Sequence, residues 1–302
     1  MQTSPKIEFF KEREFGDKIN ITFAFIRQNA GSYLKYQLFI SGPFIAVGVI
    51  LTALFMSSFF GIITSAGANG VADPSAVLGS MGNLFLTMLI YMMIYLVVSL
   101  VGLGYMRAYH ESPDGKVDMS DITRRLWKKL PAGLGAVLLG LVCISIGYLF
   151  LIIPGIYLAI AFSLILVIIM FEDDSNSVSV IGRSIKLTGG KWWSTFGLLF
   201  VTSIIAAAIG YVIQLPVALI SFSQEFTSAS ESGVVDPEGF GTTFGVVYSL
   251  FYYIALLINV FIVQTALAFQ YFNLVEKKES RGLMDKIEGM GASTEEQNEE
   301  HY

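Results

Sequence analysis

Six stretches without a single charged residue, roughly 36–63, 82–106, 132–152, 155–171, 192–222 and 244–275, divide this chain, and all nineteen of its Lys and Arg fall at its two ends or in alternate gaps. Each stretch approaches or exceeds the ~20 apolar residues that a helix needs to cross ~30 Å of hydrocarbon, the fourth being the shortest. Transmembrane β-strands alternate lipid-facing and lumen-facing residues and leave no such runs. The stretches therefore predict an all-α polytopic membrane protein with six transmembrane helices. The cations cluster at 6–35, 107–129, 183–191 and 277–286, whereas segments 64–81, 153–154 and 223–243 carry none. Under the positive-inside rule this asymmetry puts both termini in the cytoplasm, with a bacterial inner (plasma) membrane as the expected location.

Charged residues make up 14% of the chain, against about a quarter in soluble domains. The expected division is a cytoplasmic amphipathic segment over 1–35, a six-helix transmembrane domain over 36–275 and a cytoplasmic, partly disordered tail over 276–302. Residues 1–35 hold six basic and four acidic side chains and no apolar core of signal-peptide length, so no cleavable leader is expected. The net charge of −5 is concentrated as acid near the C-terminus and gives no reason to expect nucleic acid. With Cys143 the only cysteine and His110 and His301 the only histidines, neither a disulfide framework nor a metal or cofactor site is expected.

A short amphipathic stretch before a pair of apolar runs recurs three times. Ile19, Phe23, Ile26 and Ala30 form the first stripe, Met119, Ile122, Leu126 and Leu130 the second, Val178, Ile181 and Ile185 the third. Spacings of three, four and seven place each set on one helical face and predict three in-plane helices on the cytoplasmic surface, related as repeats or by convergent use of interface residues. Trp127, Trp192 and Trp193 stand where polar segments meet apolar ones and are expected as membrane-interface anchors. Arg124, Arg125, Lys128, Lys129, Arg183 and Lys186 are candidate contacts for anionic lipid head groups.

Between the third and fourth runs Pro154 and Gly155 leave almost no loop. They predict a tight hairpin at or just below the outer surface, or else a re-entrant kink, with Pro216 as a second hinge. Small residues at Ala132, Ala136 and Gly140, and at Thr202, Ala206 and Gly210, predict close helix packing. Asn259, Gln270 and Asn273 share one face of the last run and, with Gln214, predict either a polar cavity or a helix-packing face. Glu172, Asp173 and Asp174 are expected to pair with the basic helix that follows them. No run contains an ionised residue at its middle, which argues against a proton-driven pump. No catalytic constellation emerges, and no enzyme is expected.

The stretch Pro154-Gly-Ile-Tyr-Leu-Ala-Ile-Ala-Phe-Ser163, followed by Phe171-Glu-Asp173, Ser179-Val-Ile-Gly-Arg-Ser184 and Lys186-Leu-Thr-Gly-Gly-Lys-Trp-Trp193, resembles a family of bacterial six-span proteins. That family includes the membrane domain attached to some glycerophosphodiester phosphodiesterases, and the segments from Phe15 and from Gly282 look like its stand-alone Bacteroidota versions. The resemblance implies no hydrolase chemistry, because no hydrolase domain accompanies it here. The expectation is a non-catalytic lipid-interacting or envelope scaffold module whose partners are membrane lipids and, beyond them, a membrane protein or a second copy of the chain. The alternative is a small transporter or lipid flippase.

Overall fold

The computed structural model describes residues 6–69, 73–230, 237–282, 284 and 287. Among them are eight helices and no strand: α1 (Phe15–Asn69), α2 (Pro74–Glu111), α3 (Met119–Phe150), α4 (Ile152–Ala161), α5 (Ile165–Phe171), α6 (Ser179–Thr188), α7 (Trp192–Ser230) and α8 (Pro237–Glu279). Six helical segments are long and apolar enough to cross a membrane, and each contains most or all of one uncharged run; α4 and α5 together form the fourth. The chain thus has the make-up of an integral, multi-pass membrane protein.

The expected outer loops 64–81 and 223–243 are mostly helical where described, α1 running on to Asn69 and α7 to Ser230. Their short connections, 70–72 and 231–236, and the tail beyond Ile287 lie outside the described residues. Local chemistry explains the restart of α2: the Asp73 carboxylate accepts the Ser75 N–H at 2.8 Å, and Pro74 occupies the first helical position, where a missing N–H costs nothing.

Of the three expected in-plane helices, only the third stands as a separate element. Residues 19–30 and 119–130 are the opening turns of α1 and α3, continuous with the apolar runs behind them. α6 is a helix of its own because it has two genuine ends. Asn176 Oδ1 accepts the N–H groups of Val178 and Ser179, and Gly189 closes onto Ile185 O at 2.9 Å before Gly190 turns with φ +73°. Its buried face is Val180, Ser184, Leu187 and Thr188, while Val178 and Ile185 are exposed.

The chain forms two compact units, and their boundaries cut the four long helices instead of falling at loops. One unit comprises residues 31–102 and 203–261, four helical segments with a core of Ile94, Val98, Tyr253, Leu256, Leu257 and Val260 packed against Phe44, Ile45 and Val49 of α1. The other comprises residues 1–30, 103–202 and 262–302 and holds α3 to α6 entire. Its centre is α5, with Ile165 to Met170 all buried, together with the end of α8. Aromatic rings pack beside them: Phe9 lies edge-on to Phe25 and Phe272 and close to Phe269, which draws the non-helical segment before α1 into this core.

Candidate functional site

In the unit that holds α3 to α6, five cations converge on one cavity. α2 ends in Arg107-Ala-Tyr-His-Glu111, and the turn Ser112–Asp118, helped by Gly115 at φ +67°, reverses the chain into α3. Asp118 caps α3 by accepting the Ser120 N–H at 3.1 Å. That start fixes the register of Arg124, Arg125, Lys128 and Lys129. With Arg107, Met170 and Asp173 these four line a cavity of about 280 Å³.

Two of the cations are fastened to the end of α5. Arg107 donates to Met170 O at 2.7 Å and makes a two-pronged pair with Asp173 at 3.0 Å on each arm; Lys129, buried, donates to Glu172 O at 2.8 Å. Both therefore neutralise the carbonyls that a helix leaves unpaired at its C-terminus. Glu111 is shared between Arg107, at 2.7 Å, and Arg125, and Asp121 pairs with Arg124. Five cations thus face three carboxylates. Lys128 has no carboxylate within ion-pairing range among the described residues, and Arg125 Nε is buried without a hydrogen-bond partner. Donors thus outnumber acceptors around the cavity, which leaves it electropositive.

The Arg107 guanidinium holds the Asp173 carboxyl below the usual carboxylate range, through their hydrogen bonds above all. The folded state favours the charged form, so this stabilisation is present above the unfolded carboxylate pKa of ~3.9 and is lost as pH falls through the lowered folded value. Thermal midpoints of the wild type and of Asp173→Asn should differ at pH 7 and converge only once pH has fallen through the lowered folded value. A gap that persisted in acid would refute the ion pair's contribution.

The other basic candidates lie apart from this cavity. Arg183 is held between Glu172, at 2.9 Å, and Glu279, and the Glu279 bond raises its already high pKa further. Lys186 sits on the exposed side of α6. The acidic triplet therefore pairs in two directions, Glu172 with the basic helix after it and Asp173 with α2. Of the tryptophans, Trp127 and Trp193 are exposed; Trp192 donates its indole N–H to Tyr157 O at 3.1 Å and stacks between Tyr157 and Phe196.

The polar residues of α8 separate into two environments. Gln270 accepts from Lys18 at 2.8 Å and donates to Thr195 at 2.9 Å, and Asn273 accepts the Arg13 backbone N–H at 2.8 Å. These are packing contacts inside one unit. Asn259 instead meets Gln214, Tyr91, Tyr95, Tyr211 and Tyr252 around a cavity of about 310 Å³ in the other unit. Pro216 lies within a continuous α7, and Pro154 sits in the first turn of α4.

Sequence reasoning missed Lys18 and Arg107. Lys18 heads a buried ladder along α1, with Thr22, Phe25 and Asn29 in one unit and Tyr33, Gln37 and Ser41 in the other. Its signal was visible as polar residues at spacings of three and four, one position out of register with the apolar stripe. Comparison of the chain with protein-family models, with curated proteins and with solved structures finds no match.

Proposed function

We propose that this membrane protein uses the cavity between α2, α3 and the end of α5 to hold the phosphate of an anionic lipid head group on the cytoplasmic side of a bacterial inner membrane. It acts there as a non-catalytic lipid-interacting module. The observation that carries the reading is the convergence of Arg107, Arg124, Arg125, Lys128 and Lys129 on one cavity with Lys128 unpaired. Four of these residues follow one another on α3 at spacings of one, three and one, and a basic flank near a membrane gains about 1 kcal/mol per cation from anionic lipid. The kinship with the membrane domain of glycerophosphodiester phosphodiesterases belongs to the same proposal and rests chiefly on residues 150–200.

The test uses the two cations that the fold needs least. Arg124 and Lys128 are exposed, so Arg124→Gln/Lys128→Gln should fold normally yet retain phosphatidylglycerol at least tenfold more weakly in native mass spectra, following roughly 1 kcal/mol per charge. Equal retention of phosphatidylcholine by the wild type would overturn the reading. The transporter alternative has its own support in the cavity shared by Asn259 and Gln214. It requires Asn259→Leu to abolish flux while leaving head-group retention unchanged.

A further inference from the structure

The α3–α4 hairpin ends in the longest run of exposed apolar side chains among the described residues. Leu149 is 85% exposed, Phe150 79% and Ile153 78%, with Leu151 and Ile152 close behind. The two helices are locked together just behind this tip. A Cβ on Gly147 would stand 3.1 Å from the Gly155 backbone, so the helices cross in backbone contact. Leu151 N–H is bonded to Gly147 O at 3.1 Å, and Pro154 brings no N–H to the first turn of α4. The turn therefore presents few free donors, and it bears no polar side chain at all.

Two sets of contacts within this unit measure how far the tip reaches. On the α7 side, Trp192 is bonded to Tyr157 O and stacked on its ring, and its neighbour Lys191 is exposed. From Tyr157 to the turn at Leu151 is six residues, about 9 Å along the helix. On the α3 side, Ser177 donates to Ala132 O at 3.0 Å and a Cβ on Gly135 would meet its hydroxyl, so the polar loop Asp174-Ser-Asn-Ser177 lies beside α3 as far as Gly135. Fifteen residues, about 22 Å, remain from there to Phe150. Both lengths fall short of the ~30 Å hydrocarbon core, and any tilt shortens them.

We propose that the α3–α4 hairpin enters the bilayer from the side that bears Lys191 and turns back inside it. Leu149 to Ile153 then contact lipid acyl chains near mid-bilayer, and the fourth uncharged run does not cross. Four helices remain to span the membrane: α1, α2, α7 and α8. The charge pattern cannot distinguish the two topologies, since a hairpin of either depth returns to the side it left and all cations stay together. The loop between the third and fourth runs was the shortest of the outer segments, only residues 153–154, because it has no aqueous phase to enter. The inference does not depend on the identity of the anion at the basic cavity.

Single cysteines at Leu149, Phe150, Ile152 and Ile153, each in a Cys143→Ser background, test this in native vesicles of known orientation. Lys191→Cys and Ser75→Cys serve as controls for the two faces. A membrane-impermeant maleimide applied to either face should modify each tip cysteine at less than a tenth of the yield of the control on that face. A fluorophore attached at the tip should be quenched most by lipids carrying a nitroxide at the middle of the acyl chain. Modification of the tip from the Ser75 face, or strongest quenching by head-group nitroxides, would overturn the proposal in favour of a full crossing. Modification from the Lys191 face would overturn it as well, by showing the tip outside the lipid. All four positions are exposed in the fold, so at least one variant can be expected to fold, and one suffices.

Discussion

Gln270→Leu is expected to destabilise the protein by about 3 kcal/mol, more than the loss of the lysine it receives, because it strands a buried cation. Lys18 is 2% exposed, and its ammonium donates to Gln270 Oε1 and to Ser194 Oγ, each at 2.8 Å. Among the described residues no carboxylate lies within ion-pairing distance of it. Gln270, itself fully buried, spends its amide N–H on Thr195, so one side chain ties α1, α7 and α8 together. Leucine in its place takes the best acceptor from a cation that has no water to turn to. Lys18→Met removes the charge along with the contact and leaves only a neutral amide short of one partner, which costs about 1–3 kcal/mol. The double variant Lys18→Met/Gln270→Leu should therefore recover part of the loss of Gln270→Leu, since both partners are then apolar. Denaturation in mild detergent, followed by intrinsic fluorescence, gives the full cycle. Strict additivity, or a Gln270→Leu cost well under ~1 kcal/mol, would mean that the ammonium is satisfied elsewhere.

The positions of the apolar helices were legible because lipid imposes a length and a composition at once. Their ends were less so. Two of the in-plane helices expected as separate elements have no end of their own, since α1 runs straight through Ala30-Gly31 and α3 through Pro131; glycine inside a helix only lowers its propensity, and a proline interrupts one hydrogen bond without supplying the left-handed residue that a true stop uses. Gly190, with its positive φ, is such a residue, and there the helix does end. The buried face of α1 is not its apolar stripe, for a physical reason. A helix packed among other helices in lipid gains by turning Lys18, Thr22, Asn29 and Gln37 inward and apolar groups outward, so the apolar stripe Ile19, Phe23, Ile26 and Ala30 marks the side next to the core rather than the core itself. At the basic cavity, the four cations of α3 declared themselves by spacing, but Arg107 joins them only through the turn at Ser112–Asp118. Its pairing with Glu111 four residues on was the one local trace of that role.

The two glycine-bearing ridges read from spacing were not where backbones come closest, and a pair of alanine substitutions separates the two cases. At Gly210 a Cβ would stand 3.8 Å from that of Ala255, and at Gly140 3.6 Å from Ile165, both ordinary contacts. At Gly245 of α8 the same atom would come 2.8 Å from the Ala53 Cα and 2.9 Å from the Met56 Cβ of α1. The first of these is backbone, which no rotamer change can move aside, so α1 and α8 must separate to admit it. Overpacking of this kind costs about 1–3 kcal/mol, and Gly245→Val, with two further methyl groups, should lie at or above the top of that range. Gly210→Ala should be neutral or slightly stabilising, because alanine gains up to about 1 kcal/mol of helix propensity over glycine where space allows. Thermal midpoints in detergent, with size-exclusion profiles to confirm folding, decide the matter. Equal tolerance of Gly245→Ala and Gly210→Ala would show that α1 and α8 are not in backbone contact at this crossing, and the core built from Ile94, Val98 and Tyr253 would then have to be held by side-chain packing alone.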